Sequence, residues 1–468
     1  MNAIRRGCAV LLVSMLASGC AVDQANEVAT YRDVLDAGLT VADVSADEPL
    51  TLAESMRLAA LSNESIALEG ERYLQAIIAR RRAVAAFLPT ISLAPSYRID
   101  SIDGEIDDAF DVPVNASIST SFVSDYHALD AAGAEIGARR ALLFAAQDTL
   151  LLDVARTHYE VIRAERAVDV LETSLAVQNE RVADARARLE VGLVRPLDLS
   201  LSEAQTAQTA ADLEVARNRV LVGRAVLAYL TAAPIGGRPL VDSLEQPAAL
   251  PSLESWIADA ERGRPELLAA SRTIDTAERR VQSAYGQYYP TVSLDIQGFL
   301  HRDTVPTDLD WLGVIRVTVP LFSAGLIEAD VRDALSFARQ AKLFESLTRR
   351  ATVRDITTAL DSYGSAAQRA THLAVQVRAS RDALEQSEGL YQVGLATNLE
   401  RLTAQDQLQS AELQLVSAEL ESKVSYLDLL RTSGSLHTLI GLTRELDEAS
   451  PDAPGDSSTR EHADATPR

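Results

Sequence analysis

Residues 88–93 read LPTISL and residues 289–294 read YPTVSL, so one short pattern occurs twice, 201 residues apart. In both copies a proline closes a helix-forming stretch and an alternating, strand-forming stretch follows. Farther along, the VGL of residues 191–193 returns at residues 393–395, 202 residues later. Because the two separations are almost equal, we infer that a whole unit of strands and helices is duplicated. A period of this length is not that of a solenoid repeat, and it predicts an internal two-fold repeat with halves at 50–233 and 253–432.

Alternation of apolar and polar residues predicts two strands in each half. The first half has them at about 90–100 and 112–122, and the second at about 291–300 and 311–321. Each stretch has about the length that a tilted strand needs to cross a bilayer. Any one of them also fits a half-buried soluble hairpin, whereas four in duplicate positions favour membrane insertion. Four strands leave open sheet edges whose backbone groups cannot form hydrogen bonds with lipid, so several copies must combine. Two copies give a filled eight-stranded barrel, and three give twelve strands with room for a lumen.

Long helices follow the strands. Proline is absent between about 126 and 192, and apolar residues recur there every seven positions, at Val154, Val161, Val168, Leu175, Val182 and Leu189. With Ala164, Leu171 and Ala185 they form a coiled-coil seam that Gln178 interrupts. The second half repeats the pattern at about 328–394. Each helix would be roughly 100 Å long. The sequence therefore predicts a mostly α protein with a small β part, whose halves are joined by a linker at 234–252.

Charge and motif content narrow the function. The formal net charge of -23 argues against binding of nucleic-acid phosphates. The six histidines show no metal-ligand spacing, and no glycine-rich phosphate loop is present. We therefore expect no enzyme, no catalytic residue, no bound metal and no cofactor, and any energy must come from a partner.

The N-terminus has the form of a targeting segment. Arg5 and Arg6 precede an apolar run at 9–16, and small residues lead to Cys20. The pattern predicts a lipoprotein signal peptide at 1–19 and a lipid on Cys20 as the mature N-terminus; an ordinary signal peptide cut nearby is the alternative. Residues 20–49 are expected to form an extended N-terminal arm. Residues 433–468 are expected to form a short segment beside the helices and then a disordered acidic tail.

Taken together, these motifs resemble those of TolC-type outer-membrane factors, in particular their lipoprotein branch. The similarity covers about residues 50–432 and rests on Leu88–Thr90, the turn at Val319–Gly325, the two Val-Gly-Leu tips and the stretch Tyr391–Glu400. The resemblance implies a homotrimer in the bacterial outer membrane, lipid-anchored and extending into the periplasm. Its helices would form a coiled-coil barrel joined to a 12-stranded transmembrane β-barrel. The implied partners are a periplasmic adaptor and an inner-membrane pump, proton-driven or ABC-type.

The resemblance also suggests functional positions. The adaptor would dock on the helix tips, at Val191, Gly192, Leu193, Val393, Gly394, Leu395 and Thr397. Asp198 and Glu400 would place carboxylates at a periplasmic gate, while Thr403 stands where the family usually has a further aspartate. The alternative is that the glycines only cap helices and the two carboxylates only favour helix N-termini.

Two functions remain open at the level of sequence. The first is a passive exit channel of a tripartite efflux or type I secretion system, opened by an adaptor at the helix tips. The second is a lipid-anchored coiled-coil scaffold that spans the periplasm without conduction. Membrane-length strands with a polar face favour the channel, because a scaffold has no use for them. The sequence does not distinguish small-molecule substrates from peptides or proteins.

Overall fold

A computed structural model describes residues 24–35, 49–102, 105–247, 249–442 and 444. The predicted signal peptide, Cys20 and the expected acidic tail beyond residue 444 lie outside these ranges. No helix among the described residues is long and apolar enough to cross a membrane.

The first half runs from a short strand to a pair of long helices. Its elements are β1 (Leu50–Thr51), α2 (Leu52–Ser62), α3 (Glu64–Ala85), β2 (Thr90–Leu93), β3 (Ser96–Ile102), β4 (Glu105–Thr120), α4 (Phe122–Glu190) and α5 (Pro196–Thr231), preceded by α1 (Gln24–Leu35). Asn63 separates α2 from α3 because its extended backbone ends the first helix and its side chain caps the second, accepting from the amide of Ser65 at 2.8 Å.

The rest of the chain has a similar order of elements, with two strands between its helices instead of three. After β5 (Leu240–Val241) come α6 (Leu253–Gly263), α7 (Pro265–Gly286), β6 (Thr291–His301), β7 (Trp311–Thr318), α8 (Leu326–Gln392) and α9 (Asn398–Thr432), and then a 3-10 turn at Leu436–Ile440. The long helices α4 and α8 contain 69 and 67 residues. Both begin and end within a few residues of the ranges that the heptad pattern predicts.

The strands form one antiparallel sheet in the order β2-β4-β6-β7, with β3 extending the pairing along β4. Pairing of β4 with β6, for example Ser117 opposite Asp295, joins the hairpins of the two halves. Many of the large apolar strand side chains are exposed, among them Ile91, Ile99 and Ile315. The sheet therefore offers an apolar surface and two free edges.

The second strand begins earlier than the predicted range of about 112–122. Residues 105–111 belong to β4 and pair with β3, where Tyr97 lies opposite Phe110. The alternation of Tyr97, Ile99 and Phe110 with polar residues continues the strand pattern, and the aspartates occupy positions along it. Asp111 then accepts a hydrogen bond from the Thr304 hydroxyl at 2.5 Å and so links the two hairpins.

The expectation of an extended arm at 20–49 is wrong for residues 24–35, which form helix α1. Tyr31 and Leu35 of this helix are buried. The Tyr31 ring lies on Gly70 of α3, where any side chain would collide with it. Because α1 has little amphipathic pattern of its own, this tertiary contact stabilises it.

The helices form a wall with two rows. On the side of the strands, the packing order is α3, α4, α7, α8; on the side of the helix tips, it is α5, α4, α9, α8. The predicted seam residues Val154, Val161, Ala164, Leu171 and Ala185 are buried between these helices. Gln178, the polar interruption of the seam, is also buried and donates to the Ser174 hydroxyl at 3.3 Å.

A belt of short elements covers the wall where the two rows meet. We use the name belt for α1, α2, α6, the parallel β1–β5 pair and the 3-10 turn. The largest hydrophobic core lies here and includes Met56, Tyr159, Ile356 and Leu427, all fully buried. The linker crosses the wall at this level, where Lys423 donates to the Asp242 carboxylate at 2.6 Å. The belt thus fixes the middle of α4 to the C-terminal third of α9.

The buried His158 of this core should make the stability of the folded protein sensitive to acid. Its Nδ1 lies 3.1 Å from Ser55 Oγ and its Nε2 lies 3.3 Å from the carbonyl oxygen of Val241. Burial lowers the pKa of His158 to about 4. Since the unfolded chain binds this proton near the ordinary pKa and the folded chain does not, stability is full above about pH 6.5 and falls as the pH drops toward 4, by about 3 kcal/mol for this group.

The check is thermal unfolding followed by circular dichroism in detergent between pH 7 and pH 4. We expect the decline in Tm with acidification to be shallower in His158→Gln, which keeps a hydrogen-bonding side chain without the titration. His372→Gln, at an exposed position of α8, is the matched control and should follow the wild type. Equal slopes for the wild type and His158→Gln would contradict the assignment.

Candidate gate and docking site at the helix tips

The first tip is a glycine-capped turn between α4 and α5. Gly192 has a φ of 75°, a left-handed conformation that favours glycine. The amide of Leu193 donates to the carbonyl of Arg188 at 2.8 Å, which is the long hydrogen bond of a Schellman cap. Pro196 then opens α5, where its missing N–H costs nothing. The local sequence therefore reverses the chain within five residues.

The second tip, between α8 and α9, has the same geometry. Gly394 has a φ of 78°, and the amide of Leu395 donates to the carbonyl of Leu390 at 2.8 Å. Thr397 caps α9 in a reciprocal capping box with Glu400, whose carboxylate accepts from the Thr397 amide at 2.7 Å. The helix-capping interpretation of both glycines is thus correct, and it does not exclude docking.

Apolar side chains project from both tips. Val191, Leu193, Val393 and Leu395 are 69%, 74%, 68% and 77% exposed. They contribute nothing to the core of the protomer, although each would gain roughly 1.5–3 kcal/mol on burial. Exposed apolar residues at two adjacent turns are typical of a protein-binding surface.

The two predicted gate carboxylates lie in different surroundings. Asp198 is buried, and it accepts from Arg195 Nε at 3.1 Å and from Arg195 Nη2 at 3.0 Å. These hydrogen bonds from Arg195 hold the pKa of Asp198 below its usual range. Glu400 is exposed, and hydrogen bonds from Thr397 lower the pKa of Glu400. Both groups are therefore charged at neutral pH. The guanidinium of Arg195 neutralises the charge of Asp198 locally, whereas the negative charge of Glu400 is exposed to solvent.

Asn398 connects the tips to each other. Its side-chain nitrogen donates to the carbonyl of Asp198 at 3.0 Å and to Ser202 Oγ at 3.2 Å. Its side-chain oxygen accepts from Arg401 at 2.8 Å. Arg401 in turn lies over the Tyr391 ring, 4.3 Å from the centroid. The first turns of α5 and α9 are thus held together by polar contacts.

A second polar cluster, which the sequence did not reveal, lies along α4 above the tips. Arg181 donates to both carboxylate oxygens of Glu388 at 3.0 Å and also to the side-chain oxygen of Gln405. We name Arg181, Glu388 and Gln405 the latch. Its Arg181 side chain is only 11% exposed. The latch ties the helix pair α4 and α5 to the helix pair α8 and α9.

Asp406 is a further carboxylate that sequence reasoning missed. It lies three residues beyond Thr403 on α9 and accepts from Gln205 of α5 at 2.5 Å. Partial burial raises the pKa of Asp406. The sequence feature that could have identified Asp406 is its spacing from Glu400, which is a little under two turns of the same helix. Asp406 supplies a carboxylate close to the position where Thr403 lacks one.

Comparison with known proteins places this geometry in context. Residues 256–435 match the profile of the family described as outer membrane efflux protein. The TolC outer membrane protein of Vibrio cholerae is 23% identical over 386 residues, which is 80% of this chain and 87% of that protein. The outer membrane efflux protein BepC of Brucella suis is 27% identical over 317 residues, 64% of this chain and 68% of its own.

Solved structures share the fold. The outer membrane protein VceC of Vibrio cholerae superposes with a TM-score of 0.72 at 22% identity, over 82% of this chain and 96% of that one. The CmeC outer membrane channel of Campylobacter jejuni gives a TM-score of 0.74 at 17% identity, over 82% and 86% of the two chains. At these identities the likeness establishes the arrangement of helices and strands.

The strands, the long helices, the capped tips and the sequence relatives together define an outer-membrane efflux channel. Residues 256–435 match the outer membrane efflux protein family, and the chain is similar over most of its length to outer membrane proteins of the TolC type. It is located in the bacterial outer membrane and extends into the periplasm.

Proposed function

We propose that the chain forms a homotrimeric exit channel of a tripartite efflux or type I secretion system. Three copies would supply twelve strands and close the helical walls into one tube. A periplasmic adaptor would bind the tips, and an inner-membrane pump, proton-driven or ABC-type, would supply the energy. The observation that carries this proposal is the combination of exposed apolar tips with a polar latch directly above them.

The proposed gate works by relative movement of the helix pairs. The belt holds the middle of α4 to the C-terminal third of α9, whereas nearer the tips the latch joins α4 to α8 and α9, and Asn398 joins α9 to α5. The tip contacts are polar and replaceable by water, so they can be broken at modest cost, while the belt is a hydrophobic core. An adaptor that binds the tips better in the open arrangement would shift the equilibrium toward it.

The carboxylates give the proposed channel a charge preference. Three copies of Glu400 and Asp406 around one axis would attract cations and repel anions near the narrowest part of the tube. Cys20 as a lipid anchor remains part of the proposal, since lipidation would hold the N-terminus at the membrane. The alternative function is a lipid-anchored scaffold without conduction, and detection of current through the protein would exclude it.

The test is current through planar bilayers that contain the purified protein, under a KCl gradient. We expect a small, cation-preferring conductance for the wild type and a weaker cation preference, read from the reversal potential, for Glu400→Gln. Glu254→Gln, which removes an exposed carboxylate in the belt, is the matched control and should leave the reversal potential unchanged. Absence of current in every variant, Glu400→Ala included, would contradict the channel and favour the scaffold.

Charged residues at the tips should abolish docking. In the native host, with this chain supplied as its only copy, Leu193→Asp combined with Leu395→Asp is expected to slow dye efflux to the level of the deletion strain. Losing two buried leucines removes about 3–6 kcal/mol of binding, and the new carboxylates add a desolvation cost. The dye is chosen as one that the deletion strain accumulates.

Leu221→Asp is the control, because Leu221 is similarly exposed but lies on α5 far from the tips. It should retain efflux, and the tip variant should retain its conductance in bilayers. Normal efflux by the tip variant would show that the tips do not dock the adaptor.

A further inference from the structure

Among the residues that the structure describes, the helical wall has two flanks that end without a neighbouring helix. On the α8 flank, Val331, Ala338 and Ala341 face α7 and are buried. About 100° farther around the helix, at 3.6 residues per turn, Phe337 and Phe344 are more than half exposed. Large apolar side chains in such a row are typical of an interface.

The exposed positions on the two flanks have the same spacing. On α8 they succeed each other at intervals of four, three, four and three residues: Asp333, Phe337, Gln340, Phe344 and Leu347. On α3, at the other flank, the exposed positions have intervals of four, three, four and three: Leu68, Arg72, Gln75, Ala79 and Arg82. This is the spacing of the contact positions in a coiled coil.

The two rows also lie at the same height along the wall. Helices α3 and α7 both contain 22 residues, and each is followed by a strand that begins five residues later. In the second half, Ala277 and Val281 of α7 pack with Ala338 and Ala341 of α8. The pattern separation of 201 residues makes Ala76 and Arg80 of α3 the counterparts of Ala277 and Val281 of α7. The middle of the α3 row is therefore level with the middle of the α8 row.

We propose that α3 of one copy packs antiparallel on α8 of the next copy, in one defined register. The register brings together five pairs: Arg82 with Asp333, Ala79 with Phe337, Gln75 with Gln340, Arg72 with Phe344, and Leu68 with Leu347. These are an ion pair, an apolar contact, an amide pair, a cation–π contact and a second apolar contact.

Two observations favour a second copy of the chain as the occupant. Within the part of the chain that the structure describes, neither Arg82 nor Asp333 forms an ion pair, and the register joins them. The flanks are different surfaces of one molecule, so the contact is heterologous and repeats from copy to copy until the ring closes. The inference rests on the proposed trimeric channel and specifies the faces that build it.

Cysteine pairing tests the register. Leu68→Cys combined with Leu347→Cys should give disulfide-linked dimers and trimers on non-reducing gels after mild oxidation, because both side chains are exposed in the protomer and neither change disturbs its core. Each single variant should give none of these bands. Leu221→Cys combined with Leu347→Cys is the matched control, since Leu221 is equally exposed but lies on α5, on the tip side of the belt.

Charge exchange provides an independent test of the same register. Arg82→Glu and Asp333→Arg should each raise the dissociation constant of the trimer at least about tenfold, and the double variant should restore it. The oligomer is measured by light scattering in detergent. A trimer that lacks the Leu68–Leu347 crosslink, that crosslinks equally in the control, or that the charge exchange does not rescue would overturn the register and leave the channel proposal intact. A chain that forms no trimer in any variant would overturn both.

Discussion

Arg181→Ala is expected to open the channel without an adaptor, raising the mean conductance of the trimer at least about tenfold in planar bilayers. Arg181 is the only side chain of the latch that contacts both α8 and α9, through Glu388 and Gln405. If each latch contributes about 1 kcal/mol, loss of three shifts the opening equilibrium by about 3 kcal/mol, or roughly a hundredfold. Glu388→Gln should have a smaller effect in the same direction, because one hydrogen bond can persist.

Arg217→Ala is the control for the latch. Arg217 also joins two helices by ion pairs, to Glu172 of α4 and Glu214 of α5, but both partners belong to the same helix pair. Its loss should leave the conductance unchanged. If Arg181→Ala remained as closed as the wild type, or if Arg217→Ala opened the channel equally, the latch would have no specific role in gating.

Arg444→Ala is expected to destabilise the protein by about 3–5 kcal/mol. Arg444 donates to both carboxylate oxygens of Asp148 at 2.8 Å and to Gln147 at 2.7 Å, and it lies over the Phe144 ring. The Arg444 and Asp148 side chains are 3% and 2% exposed. Removal of the guanidinium leaves the aspartate buried and unpaired, which is why the expected loss is large. Thermal or denaturant unfolding of the purified protein measures it.

Two further variants separate a lost charge pair from lost packing. Arg444→Met combined with Asp148→Leu should recover most of the stability, because replacing both charges by apolar groups removes the desolvation cost. Arg163→Ala, which breaks the solvent-exposed pair with Glu160, should cost less than about 1 kcal/mol. A small loss in Arg444→Ala would show that water reaches Asp148.

The sequence predicts the long elements because their signals are local and repeated. The heptads from Val154 to Leu189 define α4, and Gly192 and Gly394 mark the helix ends to within two residues. Pro89 and Pro290 mark the change from helix to strand for the same reason. Helix α1 was missed, because the order of this polar segment depends on the contact between Tyr31 and Gly70, which no local pattern contains.

In the candidate site, too, the features with a local sequence pattern were predicted and those that depend on long-range contacts were not. The tip residues were predicted, since a Val-Gly-Leu turn is visible in the sequence and recurs. The latch was not, because Arg181 and Glu388 are 207 residues apart and their contact follows from the packing of α4 between α5 and α9. The role of Arg444 was not predicted for a related reason: its partner Asp148 precedes it by 296 residues. Contacts between distant segments of the chain require the fold before they can be named.

The most direct test of the central proposal is a cryo-electron microscopy map of the purified chain in lipid nanodiscs. We expect three copies around one axis, a twelve-stranded barrel within the lipid, and one lumen that continues through the helical wall and narrows at the level of Glu400 and the latch. A map with another number of copies, with the strands outside the lipid, or with no continuous lumen would contradict the exit channel.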